Sequence, residues 1–465
     1  MQNLFRHLPS VDAALAVLTD DAALAVLPRP LLRDLVNQFL DSLRLDIRAG
    51  CVASPEALEL DALRPALTAF VRAGARPHFR RVLNGTGVVI HTNLGRSILA
   101  PEAMDAVRDA CANYSNLELS LETGERGSRY SHVEGLLKRI TGAEAALVVN
   151  NNAAAVMLVL DTMAKDREVI VSRGQLVEIG GSFRIPDVMT KSGATLVEVG
   201  ATNRTHPHDY ENAITQNTGA LMKVHCSNFR IIGFTKEVSA EELVEIGARH
   251  GLPVIEDLGS GNFTELGGGE LAEPTVQQAV AAGLDVVTFS GDKVLGGPQA
   301  GVIVGTERWI SQIKENPMNR ALRIDKMTLA ALEATLRLYL DPETARTRVP
   351  TLRMITADPA DLKKRARRLA RRLERALGSA ARLELLPGAS RVGGGSFPER
   401  DLSTTLVAVT PTGGLGVDDF KKRLLDTEPP LIGRTQDDCF CLDPRTLDDS
   451  EFPLVASALR QALEL

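Results

Sequence analysis

Four apolar runs in the middle of the chain end in side chains that can do chemistry. ALVVN runs into Asn150, Asn151, Asn152 and Ala153, and ALMKVHC runs into Ser227 and Asn228. LPVIED ends at Asp257, and DVVTFS ends at Ser290 with Lys293 three residues on. A lysine amine condenses with a carbonyl cofactor, and a carboxylate can keep a pyridine nitrogen protonated so that the ring withdraws electrons. Residues at a helix start leave backbone N–H groups aimed at an anion. The turn Asn151, Asn152 and Ala153 offers such groups, and Ser290 offers a hydroxyl to the same phosphate. Asn228 is available as a donor to a ring hydroxyl. In this order, on consecutive strand ends, these residues describe a site for pyridoxal 5'-phosphate, with Lys293 and Asp257 as its working pair. Singly, each has a plain explanation: a surface-loop lysine at 293, a cap or turn aspartate at 257, a helix cap at Asn151.

The elements that must position them are an alternation of short β-branched strands and helices from about residue 82 onward. EVIVS, TLVEVG, ALMKVHC, LPVIEDLG and DVVTFS read as strands buried on both faces, with helical stretches such as SAEELVEIGARHG between them. That pattern predicts an α/β domain with a mostly parallel sheet and binding groups at the strands' carboxyl ends. Residues 1–75 read instead as a helical bundle, punctuated by Pro28, Pro30, Gly50, Pro55 and Gly74. Beyond about 340, a basic amphipathic helix (KKRARRLARRLERAL) and the strands TTLVAVT and FCLD give a smaller α+β domain. The expected domains are therefore 1–75, 76–340 and 341–465.

The glycine loop after Lys293 is not a Walker loop, because the lysine precedes GGP and an apolar strand follows. Of 465 residues 44% are hydrophobic and 24% charged, ordinary for a soluble protein. No apolar run reaches the roughly 18 residues of a membrane-spanning helix, and the N-terminus lacks a signal-peptide pattern. The expectation is a cytoplasmic protein with no membrane partner. The five cysteines are scattered and show no zinc spacing. A net charge of -6 means that any nucleic-acid partner must be met by local patches.

NGTGVVIHTNLGRS, VVNNNAAAV, SRGQLVEIGGSFRIPDVM, EVGATNRTH, KVHCSNFRIIGFTKEV, EDLGSG, FSGDKVLGGPQAGVIVG and RALRIDKMTLAALEATLRLYL resemble, in order and over essentially the whole chain, the bacterial selenocysteine synthase family, the L-seryl-tRNA(Sec) selenium transferases. The resemblance implies a fold-type I pyridoxal phosphate transferase, aspartate aminotransferase-like in its large domain. It implies conversion of seryl-tRNA(Sec) to selenocysteinyl-tRNA(Sec), with selenophosphate as donor and a cofactor-bound aminoacrylate on the path. It implies Lys293 as the Schiff-base lysine, Asp257 on the pyridine nitrogen, and Arg96, Arg320 and Arg323 as substrate-binding arginines. It also implies a tRNA-gripping N-terminal domain and a dimer-based homo-oligomer, a decamer in the family. A lyase acting on a small amino acid or amino sugar phosphate is the rival on the same scaffold. A helical N-terminal segment argues against that rival, and the intact Asp257–Lys293 pair argues against a non-catalytic RNA-binding protein.

Other residues rank lower. His225 suits a packed histidine, Phe183 or Arg184 is placed to cover a cofactor ring, and Arg434 lies where related folds bind a carboxylate. The basic 363–375 helix reads first as a solvated face, with contact to tRNA phosphates as the alternative. The chain departs from the family at Gln175, where glutamate is common, and at Leu119 and Ser120 in the Glu118–Leu121 stretch.

Overall fold

The computed structural model describes residues 4–179, 183–266 and 273–465, apart from the side chains of Ile179, Phe183 and 398–400. The chain divides into two compact units, Met1–Arg81 and Val82–Leu465.

In the first unit the main helices are Val11–Leu18, Arg29–Ala49 and Leu60–Gly74. Ser10 caps the first of these, its hydroxyl accepting from the Ala13 N–H at 3.2 Å. Gly50 ends the second in the left-handed conformation. Apolar residues at helical spacing, among them Leu15, Val36, Phe39, Leu67 and Val71, meet in one core. Arg64 and Arg72 pair with Asp20 and Asp21 on its surface.

The second unit is built on a seven-stranded sheet. Its order is Ala145–Val149, Gly301–Gly305, Val286–Ser290, Val254–Gly259, Thr218–Val224, Glu168–Ser172 and Thr195–Val199. Gly301–Gly305 runs antiparallel to both neighbours, and the remaining pairs are parallel. Every residue of the four strands at the Ala145–Val149 side is buried. Alternate side chains feed opposite cores: Val148, Val287 and Phe289 enter one, while Leu147, Val286 and Ile303 enter the other. This is why the strands read as continuous apolar runs rather than as alternating ones.

A second sheet lies toward the C-terminus. Ala381–Gly393 and Ser396–Pro411 form a long antiparallel pair, extended by Cys439–Leu442 and Arg434–Gln436. The helices Pro359–Leu377 and Phe452–Ala462 contribute to the core beside it. Its fifth strand comes from far upstream, since Val88–Ile90 pairs in parallel with Ala381–Gly393. Leu83–Asn84 likewise pairs with Leu431–Ile432. The sequence groups these residues with 76–340, but they hydrogen-bond into the C-terminal layer. A pairing between segments so distant leaves no local signal.

The strand ends are tightly fitted. A Cβ on Gly301 would lie 2.1 Å from the carbonyl oxygen of Asn151, at the turn that opens the helix Asn152–Met163. Gly301→Ala must therefore displace backbone and should cost about 1–3 kcal/mol. Gly135→Ala, in mid-helix with nothing within 4 Å of the added carbon, should instead stabilise by about 0.5–1 kcal/mol. Thermal melts of the two variants against the parent check this, and a silent Gly301→Ala would refute the close fit.

Candidate active site

The candidate site lies at the carboxyl ends of the sheet's central strands, where an open α/β sheet presents its binding groups. Asp257 stands near the end of Val254–Gly259 and is 5% exposed. It is in register with Thr288 on one neighbouring strand and Val224 on the other. Three donors converge on its Oδ1: Asn152 Nδ2 at 2.8 Å, Thr288 Oγ1 at 3.1 Å and the Gly259 N–H at 3.2 Å. Oδ2 takes no hydrogen bond among the described residues. Burial pushes the Asp257 carboxyl above its ordinary range, while the Asn152 hydrogen bond and the Lys293 charge oppose that shift.

Lys293 is 5% exposed, so it is not a surface-loop lysine. The glycine-rich turn around it is folded inward and fastened at several points. Gly296 N–H bonds to the Lys293 carbonyl at 3.0 Å, and Val294 N–H bonds to the Ser260 carbonyl at 3.1 Å. The Ser97 hydroxyl reaches the carbonyls of Asp292 and Lys293 at 2.8 and 2.7 Å. Gly259, at φ +65°, flanks the amine, because a Cβ there would lie 3.8 Å from Lys293 Nζ and 3.6 Å from Ser227 Oγ. Burial lowers the Lys293 pKa from its ordinary 10.5; the Asp257 charge opposes this and Arg96 adds to it.

The remaining predicted residues fall into two groups. Asn151, Asn152 and Ala153 open a helix, as expected. Asn151 Oδ1 accepts from Ala154 N–H at 2.9 Å, so its side chain is a cap rather than a phosphate ligand. The Asn152 side chain goes to Asp257, and the Asn152 and Ala153 N–H groups stand in the helix's first turn, where they have no intrahelical carbonyl partner. Ser290 ends the neighbouring strand, paired with Gly301. Asn228 gives its Nδ2 to the Glu178 carbonyl at 2.8 Å and leaves Oδ1 buried and unbonded. The open group there is an acceptor, where the sequence led us to expect a donor. Arg96 Nη1 bonds Asp292 Oδ2 at 2.9 Å, from a residue with φ +64°. That places it beside the lysine loop.

Arg320 and Arg323 line a separate cavity of about 360 Å³ with Glu118, Arg126, Arg129 and Tyr130. It adjoins the same strand end, since Arg323 bridges to Val149 and the Asn150 N–H bonds to the Leu322 carbonyl at 3.0 Å. Arg129 is buried and braces this loop, donating to Glu118 Oε1 at 3.0 Å and to the Ile324 carbonyl at 2.6 Å. Glu118 also lies 3.5 Å from Arg323, and its carboxyl is held below the usual range, first by the Arg129 hydrogen bond.

Sequence reasoning missed Thr288, Ser97, Asp292, Glu118, Arg129 and Glu273. A threonine two residues before Ser290 on a buried strand was a readable signal, because its hydroxyl needs a partner. Glu273 lies 3.3 Å from His225 Nε2, and both line a cavity of about 340 Å³ with Gln175, Arg204 and Cys226. Gln175 is buried and its Oε1 accepts from Val224 N–H at 3.0 Å, a contact that a neutral amide makes without burying a charge. Arg184 is tied to Glu178 at 2.7 Å, while the side chain of Phe183 lies outside the described residues. Arg434 bonds the Ala389 carbonyl at 2.7 Å and lies 3.8 Å from the buried Asp443.

These residues fit pyridoxal phosphate. An unbonded oxygen on a buried carboxylate calls for a cationic N–H, an orphaned Asn228 Oδ1 calls for a hydroxyl, and free N–H groups at a helix start call for a phosphate. A mostly parallel seven-stranded sheet carrying this arrangement defines a pyridoxal phosphate enzyme of fold type I. The solved structure of D-glucosaminate-6-phosphate ammonia-lyase shares the fold, with a TM-score of 0.58 and 23% identity over 83% of this chain and 96% of that one.

The L-seryl-tRNA selenium transferase family model matches residues 82–448, and the selenocysteine synthase N-terminal model matches residues 5–44. The L-seryl-tRNA(Sec) selenium transferase of Nitratidesulfovibrio vulgaris is 68% identical over 470 residues, and that of Maridesulfovibrio salexigens is 66% identical over 465, each across the full length of both chains. The chain belongs to the L-seryl-tRNA selenium transferase family.

The lowered Lys293 pKa makes a prediction for the cofactor-free chain. A lysine with a lower pKa folded than unfolded binds fewer protons in the folded state. Its contribution to stability is complete above the ordinary value of 10.5 and is lost as pH falls through the folded value. Between neutral pH and 10.5, the cofactor-free parent should gain melting temperature relative to Lys293→Met, which lacks this titration. Equal pH slopes for the two chains would refute it.

Proposed function

We propose that the chain transfers selenium to the seryl group of seryl-tRNA(Sec), with Lys293 and Asp257 as the working pair and selenophosphate as the selenium donor. The observation that carries the reading is the buried Asp257, saturated on Oδ1 and open on Oδ2, beside a buried lysine, in a chain belonging to this family. Bound here, pyridoxal phosphate supplies a carbonyl carbon for the seryl amine and a ring that draws electrons away from the α-carbon. Asp257 Oδ2 would hold the ring N–H. The Asn152 and Ala153 N–H groups, with Ser290, would hold the phosphate.

Burial favours an uncharged Lys293 Nζ, which suits it to take the seryl α-proton, and to return one to the α-carbon after the β-hydroxyl has left as water and selenium has entered at the β-carbon. Arg96 beside the lysine loop, and Arg320 and Arg323 from the adjoining cavity, are the arginines we propose for the selenophosphate oxygens, through forks of N–H donors that remain charged. The helical unit carries the tRNA, and subunits assemble through dimers, a decamer by likeness to the family. A small-substrate lyase would have no use for a helical unit matched to the selenocysteine synthase N-terminal model.

The test is incubation of the cofactor-loaded chain with seryl-tRNA(Sec) and selenophosphate, scoring selenocysteinyl-tRNA. Absence of product beside an active control overturns the reading. Lys293→Ala should lose the visible cofactor band together with activity. Asp257→Asn should retain cofactor but lose about 10²–10³ in kcat, the range for removing a group that stabilises developing charge. An Asp257→Asn chain with parental kcat would remove Asp257 from the mechanism.

A further inference from the structure

The helix Pro359–Leu377 carries eight basic and two acidic residues in a chain whose net charge is -6. Its apolar side is spent within the protein: Leu362, Ala366, Leu369, Leu373 and Leu377 are buried. They pack into a core that includes Val407, Phe420 and Leu459. The opposite side is a double row of cations. Lys363, Arg367, Arg371 and Arg375 repeat every fourth residue, which spaces them about 6 Å apart along the axis. Lys364, Arg368 and Arg372 repeat beside them.

Asp361 pairs with Lys364, and Asp449 pairs with both Arg365 and Arg368. Lys363, Arg367, Arg371, Arg372 and Arg375 are exposed and carry no ion pair or hydrogen bond among the described residues. Like charges four residues apart destabilise a helix, so fold stability alone does not account for the rows. Arg368, Arg371, Arg372 and Arg375 also line an open groove of about 640 Å³ with Asp449 and Phe452.

We infer that this face is a docking surface for the sugar–phosphate backbone of the tRNA substrate, an inference that rests on the proposed function. Regularly spaced cations suit a line of phosphates, and six of the eight are arginines, which bind phosphate oxygens in pairs. An anionic membrane is a poorer fit. A membrane-surface helix needs its apolar side free for lipid, and here that side is buried in the core. The surface reads no sequence. It adds affinity and holds the tRNA body while the acceptor end reaches the site.

The test titrates the full-length, cofactor-loaded chain against a labelled, uncharged tRNA(Sec) transcript by fluorescence anisotropy at several salt concentrations. Each lost phosphate contact lowers the slope of log K against log salt by about 0.7–0.9. The variant Arg367→Gln/Arg371→Gln/Arg375→Gln should therefore flatten the slope by about 2.1–2.7 and weaken binding at least tenfold at low salt. The cofactor band and kcat at saturating seryl-tRNA should stay at parental values while KM rises. A control, Lys165→Gln/Lys191→Gln/Lys326→Gln, removes three exposed charges elsewhere and should bind as the parent does. A triple-arginine variant with the parental slope overturns the surface and leaves the proposed function standing. A parent that binds no tRNA overturns both. Parental binding to phosphatidylglycerol vesicles that is lost in the variant, with tRNA binding unchanged, overturns the surface in favour of a membrane.

Discussion

A carboxylate taken out of water must be stabilised by fixed dipoles or charges, and that requirement organises the centre of the large unit. Asp257 Oδ1 collects a donor from the helix start at Asn152, one from the neighbouring strand at Thr288 and one from its own chain at Gly259. Each donor is fixed by something larger than itself. Thr288 faces Asp257 because the two strands are in register. Asn152 is placed by a helix whose turn packs against Gly301 with no room for a Cβ. The strand that carries Thr288 then delivers Ser290 and, after a short turn, Lys293. The lysine's position follows from sheet register more than from any preference of its loop.

That loop is also held from outside the sheet. Leu83–Asn84 and Val88–Ile90 belong to C-terminal pairings, and a few residues later Arg96 and Ser97 bond to Asp292 and to the carbonyls of Asp292 and Lys293. The C-terminal layer is thereby fastened to the backbone that bears the amine. Arg129 performs a similar task at the other end of the site, tying Glu118 to the loop that carries Arg323. In both places an arginine and a carboxylate hold backbone in place beside the site.

The parts of this arrangement that were legible in the sequence are those governed by local rules. Strands buried on both faces announce themselves as β-branched runs, and the ends of those runs named Asn152, Asp257, Ser290 and Lys293. The basic helix was legible from its leucine spacing. The parts that were not legible depend on partners distant in sequence. Nothing near Val88 indicates that it pairs with Arg391. Nothing in NNNA says that Asn151 caps the helix while Asn152 turns to Asp257, since either asparagine could do either. Asn228 was found at the right strand end with the wrong hydrogen-bonding sense, because its amide is claimed by a carbonyl fifty residues upstream. Register and side-chain direction decide such details, and both are properties of the assembled sheet.

The choice between lysine and arginine follows the same physical logic. Burial strips charge from an ammonium far more readily than from a guanidinium, whose proton is effectively never lost. The cation we propose for proton exchange is a lysine, enclosed at 5% exposure where burial lowers its pKa. The cations we propose as anion holders, at 96, 320 and 323 and along most of the basic helix, are arginines left partly or fully exposed. A lysine at those positions would offer a point charge where a fork is needed. An arginine at 293 would keep its proton and have no free amine to offer. Two residue types of the same formal charge are thus divided between proton transfer and anion binding by the environments the fold builds around them.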